Sequence, residues 1–548
     1  MDKIWLQSYP KYIPATIDIP DDINLVDLFT QACEQYKDAN AYSSFSATIS
    51  YQQLYQRSEI IAAYFQQKLN LTQGDRIAIM IPNLLQFPLV FFAALRAGLV
   101  VVPVNPMYTP RELLLQLKDA QVSAIVVLEQ MAFKLASVIK EAPIQHIIIT
   151  QFQDFLTGAE KVFFKFYFRW IKKTPAYDLN PVIYLTDILA ENLTLKPVTV
   201  KSQDLALLQY TGGTTGLPRG VMLTHYNIAA NVMQTKAWVK DYLSTAKEKY
   251  VLAPLPMYHI FSLMANNILL LHLGFENILI VDPRRINTLI NILRKRPLVL
   301  MTGVNTLYYA LLQHPKFKNL NFSEQKVSLA GGMALQEATA VAWQKITGKT
   351  LIEAYGLSES SPAAIINPLD ITEYNGAMGL PIPNTDIKIC DDKGIEVALN
   401  EVGELWLKGP QVTQGYWNNK EETQHNIENG WLKTGDLVKI DAKGYVHFVD
   451  RKKNMLVISG FNVYPTEIED VICTHPMVAN AAVIGLPDPV HGQKIKCFVI
   501  KKDPQLTEQM LRDYLREQLT GYKRPEIIEF CDALPLNAVG KVLHRKLR

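Results

Sequence analysis

The stretch YTGGTTGLPRG, Tyr210–Gly220, carries the chemistry that is easiest to recognise. Gly212, Gly213 and Gly216 let a backbone approach a ligand closely. The hydroxyls of Thr211, Thr214 and Thr215, with successive backbone N–H groups, make an anion-binding nest. Arg219 adds a permanent charge suited to phosphate oxygens. The stretch is not a P-loop, which needs a Lys directly before a Ser or Thr, because Arg219 is followed by Gly220. An ordinary Gly/Thr turn with no ligand has the same composition.

Three more segments bear on the choice. EAYGLSES sets Glu359 four residues past Tyr355. A carboxylate beside phosphates can hold Mg²⁺, and the ring can stack on a base. GWLKTGDLV ends a strand at Gly435 and Asp436, where a carboxylate can take both hydroxyls of a ribose. VDRKKNMLVISGFNVYPTEIED carries Asp450, Arg451 and Gly460. Each has an unexceptional reading: a surface ion pair for Glu359, a turn aspartate for Asp436, a solvated linker for Arg451. Their co-occurrence in one order favours a nucleotide site.

The surrounding pattern supplies elements to hold them. From residue 75, DRIAIMIP, LVVVPVN and SAIVVL read as strands between the helices LLQFPLVFFAALRAG and PRELLLQLKDA, which predicts a parallel sheet covered by helices. LALLQYTGGTTG is a strand running into a loop, and Thr224 opens the helix THYNIAANVMQ. Near Ile382 the pattern changes to short strands with Gly and Asn turns, predicting a β unit. DRKKN, Asp450–Asn454, is a charged break, followed by a compact α+β pattern with Pro465 opening a helix. This predicts a domain over 1–449 and a smaller one over 450–548.

The 548 residues carry a net charge of +3, so no field for nucleic acid is implied. Five scattered cysteines form no C-x-x-C pair, which fits a reducing cytoplasm. No signal peptide or spanning helix is expected; the apolar run His259–Val281 is broken by Asn266, Asn267, His272 and Glu276. KVFFKFYFRWIKK, Lys161–Lys173, interleaves Phe163, Phe164, Phe166, Tyr167, Phe168 and Trp170 with basic residues. It reads either as a patch touching a membrane surface or as a helix packing its aromatics inward.

Together YTGGTTGLPRG, YGLSE, GELWLKGP, TGDL, DRKKNMLVISGFNVYPTEIE and NAVGK resemble the superfamily of acyl-CoA synthetases, nonribosomal peptide synthetases and luciferases. LPMYHIF, MTGVNTL, GGM and LTGYKRP make the chain similar to bacterial long-chain fatty acid–CoA ligases, over essentially its whole length. The resemblance implies an α/β fold: a large domain of two α/β subdomains with parallel-rich sheets plus a β-barrel-like subdomain, then a small mobile α+β domain hinged near 450–453. It implies ATP, Mg²⁺ and coenzyme A, with a fatty acid adenylated to acyl-AMP and then passed to the thiol. Thr211–Gly216 would wrap the phosphates, with Glu359 and Thr214 near the metal. Gly331, Gly332, Glu353, Ala354 and Tyr355 would line the adenine and acyl site, beside Gly356 and Ser358. Asp436 and Arg451 would hold the ribose. His259, which by type alone could be a packed core residue, would orient the acyl end. Lys541 would bridge carboxylate and α-phosphate. Gly460 would let a pantetheine arm pass.

Arg219, Ser358 and Asn454 depart from the family's usual Lys, Thr and Asp. Medium-chain or aryl acid–CoA ligases, and ligases loading a separate carrier protein, share the pattern; a lipid-binding protein without catalysis would not need Glu359, Asp436, Arg451 and Lys541. Peripheral contact with the cytoplasmic face of the inner membrane and a homodimer are both compatible with the sequence.

Overall fold

The structure is a computed structural model that describes residues 3–212, 218–458, 461–488, 492–537 and 540–547. Its first sheet has seven strands, in the order Ile183–Tyr184, His146–Thr150, Ala124–Leu128, Arg76–Met80, Val100–Pro103, Leu205–Gly212 and Pro218–Thr224. Pairing is parallel except in the last hairpin. Helices cover both faces, so strands such as Ala124–Leu128 are buried along their whole length.

The second sheet has nine strands. At its centre, Leu351–Gly356, Val327–Gly331, Leu300–Gly303, Tyr250–Ala253 and Glu276–Leu279 run parallel. Ala363–Ile366 and Leu380–Pro381 extend one edge antiparallel. One apolar core joins both large sheets. The helix His225–Ser244 lies within it; the Thr224 side chain accepts from Asn227 N in a capping box, as the sequence predicts.

A third, antiparallel sheet holds Asp386–Cys390, Gly403–Lys408, Trp431–Ile440, Ile427–Glu428 and Val446–Arg451. Two expectations change here. The strand Trp431–Ile440 does not end at Gly435 and Asp436 but continues through them. Glu404 pairs with Leu437 and Trp406 with Lys433, so Thr434, Gly435 and Asp436 together oppose Leu405. Gly435, at φ +70°, makes this bulge possible, and the bulge turns Asp436 inward. The charged run DRKKN is also not wholly a break, since Asp450 and Arg451 still belong to the strand Val446–Arg451.

The segment Ile4–Ser8 braces the hairpin before that strand. Gln7 and Ser8 donate to the carbonyls of Ala442 and Lys443 at 2.7 Å, and Trp5 lies so close to Gly444 that a Cβ there would strike its backbone.

The small domain has its own core. Helices Pro465–Cys473 and Glu508–Gln518 cover a sheet of Val478–Asp488, Gly492–Lys501 and Ile527–Phe530, beside the pair Leu456–Ile458 and Phe461–Val463. The helix Gly158–Phe166 continues as a π-helical turn, Tyr167–Ile171. Phe164 and Phe168 turn inward onto Phe152, with ring centroids at 4.7 and 5.2 Å. Val162, Phe163, Phe166, Trp170 and Ile171 face outward, each more than half exposed. The inward-packing reading holds for Phe164 and Phe168 alone. No helix among the described residues is long and apolar enough to cross a membrane.

Candidate active site

The bulge at Gly435 sets the first group. Asp436 is buried, and Oδ2 accepts from the Tyr355 hydroxyl at 2.7 Å. Arg451 Nε lies 3.3 Å from Oδ1. Because the strands pair, Arg451 stands opposite Asp436 in register. The next residue, Lys452, bridges Asp392 and Glu404 at 2.9 and 3.1 Å.

Glu359 follows the strand Leu351–Gly356. It is no surface ion pair: its Oε1 accepts from the Tyr416 hydroxyl at 2.9 Å, and burial raises its pKa. Arg219 and Thr211 line the same cavity, and Arg219 pairs with Glu422. Gly213, Thr214, Thr215, Gly216 and Gly460 lie outside the described residues; Gly212 closes the strand Leu205–Gly212.

Gly331 and Ala354 pair on adjacent strands. A Cβ on Gly331 would sit 2.9 Å from the Ala354 carbonyl oxygen, and one on Gly356 would strike the Pro362 carbonyl. Gly332, at φ +78°, turns the chain away. With Ser358 these residues form one wall of the cavity. Glu353 stands behind that wall. Its Oε1 accepts from Leu335 N at 3.4 Å, and burial, with Asp470 adding repulsion, raises its pKa to about 8.

His259 caps the short turn Ile260–Ser262 through an Nδ1 contact with Phe261 N at 3.4 Å. Burial lowers its pKa to about 4, with the Lys541 charge adding to the effect. The imidazole is therefore neutral near pH 7, able to orient or accept but carrying no charge. Lys541 belongs to the C-terminal domain yet reaches the same cavity. Burial lowers its pKa to about 7; Arg451 and Lys453 add to the lowering, while Asp436 and Asp450 oppose it. Gly540 makes this approach possible, since a Cβ there would lie 2.6 Å from Thr306 Oγ1. Gln336 Nε2 also meets Cys473 Sγ at 3.4 Å, tying the small domain to the large one.

These groups surround a cavity of about 1110 Å³. One end is polar, with Asp436, Arg451, Glu359 and Lys541. The other is apolar and runs between the helix His225–Ser244, the π-helical stretch Leu263–Leu270 and the strands Leu300–Gly303 and Val327–Gly331. A charged group and a long apolar chain can therefore occupy one continuous space.

Family comparison gives this arrangement its context. Residues 29–417 match the model of the AMP-binding enzymes, and residues 467–541 match the AMP-binding enzyme C-terminal domain. The chain belongs to the AMP-binding enzyme family. A long-chain-fatty-acid–CoA ligase of Escherichia coli O6:H1 is 46% identical over 552 residues, covering 100% of this chain and 98% of its own. The structure of ATP-bound MatB from Rhodopseudomonas palustris is 28% identical with a TM-score of 0.81, covering 96% of this chain and 98% of that one. The anthranilate CoA ligase AuaEII in complex with anthranoyl-AMP has the same fold, with a TM-score of 0.85 at 24% identity over 97% of each chain.

Two residues of this AMP-binding enzyme's site carried no sequence signal. Tyr416 lies 57 residues beyond its partner Glu359. Asn83 clamps the loop before His259: its Nδ2 donates to the carbonyls of Ala253 and Leu255 at 3.0 and 2.8 Å, and its Oδ1 accepts from Met257 N at 2.8 Å. An Asn in a loop after a strand gives no hint of a partner some 170 residues away.

Proposed function

We infer that the protein joins long-chain fatty acids to coenzyme A, using ATP and releasing AMP and pyrophosphate. The continuity of the polar site with a deep apolar channel carries this reading. It agrees with the 46% identity to a long-chain-fatty-acid–CoA ligase over the full chain.

In the first step a carboxylate oxygen forms a bond to the α-phosphorus while the bond to the pyrophosphate oxygen breaks. In the second, the thiol sulfur bonds to the acyl carbon, its proton is lost, and AMP leaves. The residues act by placing charges. Lys541 brings an ammonium between two anions that must meet, and their presence restores the proton that burial disfavours. Asp436 and Arg451 hold the ribose, Tyr355 and the Gly331–Ala354 wall hold the base, and neutral His259 orients the acyl end. Thr211 and Arg219 flank the phosphates, and Gly213, Thr214, Thr215 and Gly216 help to hold them.

Mg²⁺ commonly takes one or two protein carboxylates and completes its shell with phosphates and water. Glu359 fits that need as a buried carboxylate facing the cavity, and no group of three or more His, Cys, Asp or Glu gathers among the described residues. Mg²⁺ there would neutralise phosphate charge, with Thr214 as a second ligand.

The small domain, from residue 450, turns at residues 450–453 between the steps. This withdraws Lys541 and brings the Gly460 segment to the acyl-AMP. A second surface belongs to the same reading. Lys161, Lys165, Arg169, Lys172 and Lys173 flank the exposed Phe163, Phe166 and Trp170, and together suit an anionic lipid surface from which the substrate is drawn.

A pyrophosphate-release assay with palmitate, with and without coenzyme A, tests the main reading. Release that requires palmitate, with palmitoyl-CoA formed only when the thiol is present, is the expected result. No palmitate-dependent release would remove the reading.

A further inference from the structure

The apolar channel carries a polar station close to its carboxyl end. Thr235, Val239 and Leu243 recur at four-residue spacing on one face of the helix His225–Ser244, and all three line the cavity. Thr235 is 6% exposed, and its Oγ1 has no hydrogen-bond partner among the described residues. A buried hydroxyl without a partner is costly unless something else uses it.

The position of Thr235 along the channel follows from its neighbours. Asn231, one turn earlier, exchanges two hydrogen bonds with the backbone of Ala363, at 2.8 and 3.0 Å. Trp238 donates to the Asn367 carbonyl at 3.2 Å. Thr235 is bracketed between them, against residues 363–367. Within that stretch Ile366 pairs with Ala354, and Ala354 pairs with Gly331. This is the rung next to the nucleotide end of the cavity.

A second hydroxyl stands one rung deeper. Thr302 pairs with Leu329, two residues before Gly331, or about 6–7 Å along the strand. It lines the cavity and donates to Asn266 Oδ1 at 2.8 Å, so its own oxygen is left to accept. The amide nitrogen of that Asn266 has no partner among the described residues.

We propose that Thr235 forms a subsite for an oxygen carried on the acyl chain near its carboxyl group. The substrates it takes are fatty acids with a hydroxyl or oxo group at the second to fourth carbon. This rests on the ligase reading above. Thr235 Oγ1 is closed off from the cavity as it stands, so a χ1 rotation brings the hydroxyl round to donate to the substrate oxygen. Unsubstituted acids bind in the same channel but leave the Thr235 hydroxyl unpaired.

The test compares 3-hydroxytetradecanoate with tetradecanoate in the wild type, Thr235→Val and Thr235→Ser. Valine keeps the shape and removes only the hydroxyl. The wild type should use the two acids with kcat/KM values within about threefold, since the hydroxyl finds a partner. Thr235→Val should lower the ratio of hydroxylated to plain acid by about tenfold or more. The plain acid should change by less than about threefold, Thr235→Ser should keep the wild-type ratio, and the Tm of the Val variant should not fall. An unchanged ratio in Thr235→Val, or wild-type rejection of the hydroxylated acid by about 100-fold, overturns the subsite alone. Inactivity of the wild type on both acids overturns the ligase reading, and the subsite with it.

Discussion

Tyr355 gives its hydroxyl hydrogen to Asp436 across 81 residues of sequence, at 2.7 Å. The bond holds one carboxylate oxygen while Arg451 holds the other, which fixes the carboxylate against rotation. A hydrogen bond to a charged group is worth about 1.5–3 kcal/mol. Tyr355→Phe keeps the ring and loses this bond. The KM for ATP should rise by about 10- to 100-fold while the KM for fatty acid stays within about twofold. Steady-state kinetics with each substrate varied decides it, and an unchanged KM for ATP would remove the Tyr355 hydroxyl from nucleotide binding.

Lys541 should separate the two half-reactions. With Lys541→Ala, acyl-AMP formation followed by pyrophosphate exchange should fall by about 10²–10³-fold. Transfer from supplied acyl-AMP to coenzyme A should stay within about threefold. Equal losses would sink the division of labour. Its pKa also predicts a pH effect on the protein without substrates. The seated lysine titrates near 7 and the free one at 10.5, so the unseated state binds more protons between those values. Seating of the small domain should therefore strengthen as pH rises from about 7, and be flat below it. Slower proteolysis at the hinge near Lys452 at pH 9 than at pH 7 is the expected observation.

Glu353 sets a pH dependence of opposite sign. Burial raises its folded pKa to about 8, above the ordinary glutamate value of 4.5. The native state thus keeps a proton that the unfolded state loses, and stability from this group declines as pH rises from about 4.5 to about 8. Glu353→Gln keeps the size and removes the titration. Scanning calorimetry should find the variant's Tm above that of the wild type at pH 8 and nearly equal to it at pH 5. A gain of the same size at both pH values would rule the titration out.

The exposed aromatic face predicts lipid binding. Changing Phe163, Phe166 and Trp170 together to Ser should abolish co-flotation with vesicles containing anionic lipid. Activity on acid presented in detergent should stay within about twofold, because these side chains point away from the core. Wild type that fails to float at low salt would refute a membrane role for this face.

Much of the fold is legible in the sequence because the parallel strands are apolar runs and their helices carry caps, as at Thr109 and Thr224. Asp436 and Glu359 are also legible, since each sits in a short segment of mixed Gly and polar residues. What stays hidden depends on pairing. The bulge at Gly435 exists only because Leu405 faces three residues at once. Tyr416 and Asn83 act across distances in sequence that no local period records. The aromatic segment misleads for a related reason: its composition is uniform, and only docking on Phe152 separates the inner Phe164 and Phe168 from the outer Phe163 and Phe166.

The rotation proposed for the small domain needs something fixed to push against. The hairpin that leads into Arg451 is clasped by residues 435 positions upstream, through Gln7 and Ser8, with Trp5 lying flush against Gly444. In the rotation proposed for the small domain that clasp would serve as an abutment, taking torque that enters the strand Val446–Arg451 before it could twist the sheet that carries Asp436. Asp436, proposed to hold the ribose, would thereby stay still while Lys541 is carried in and out.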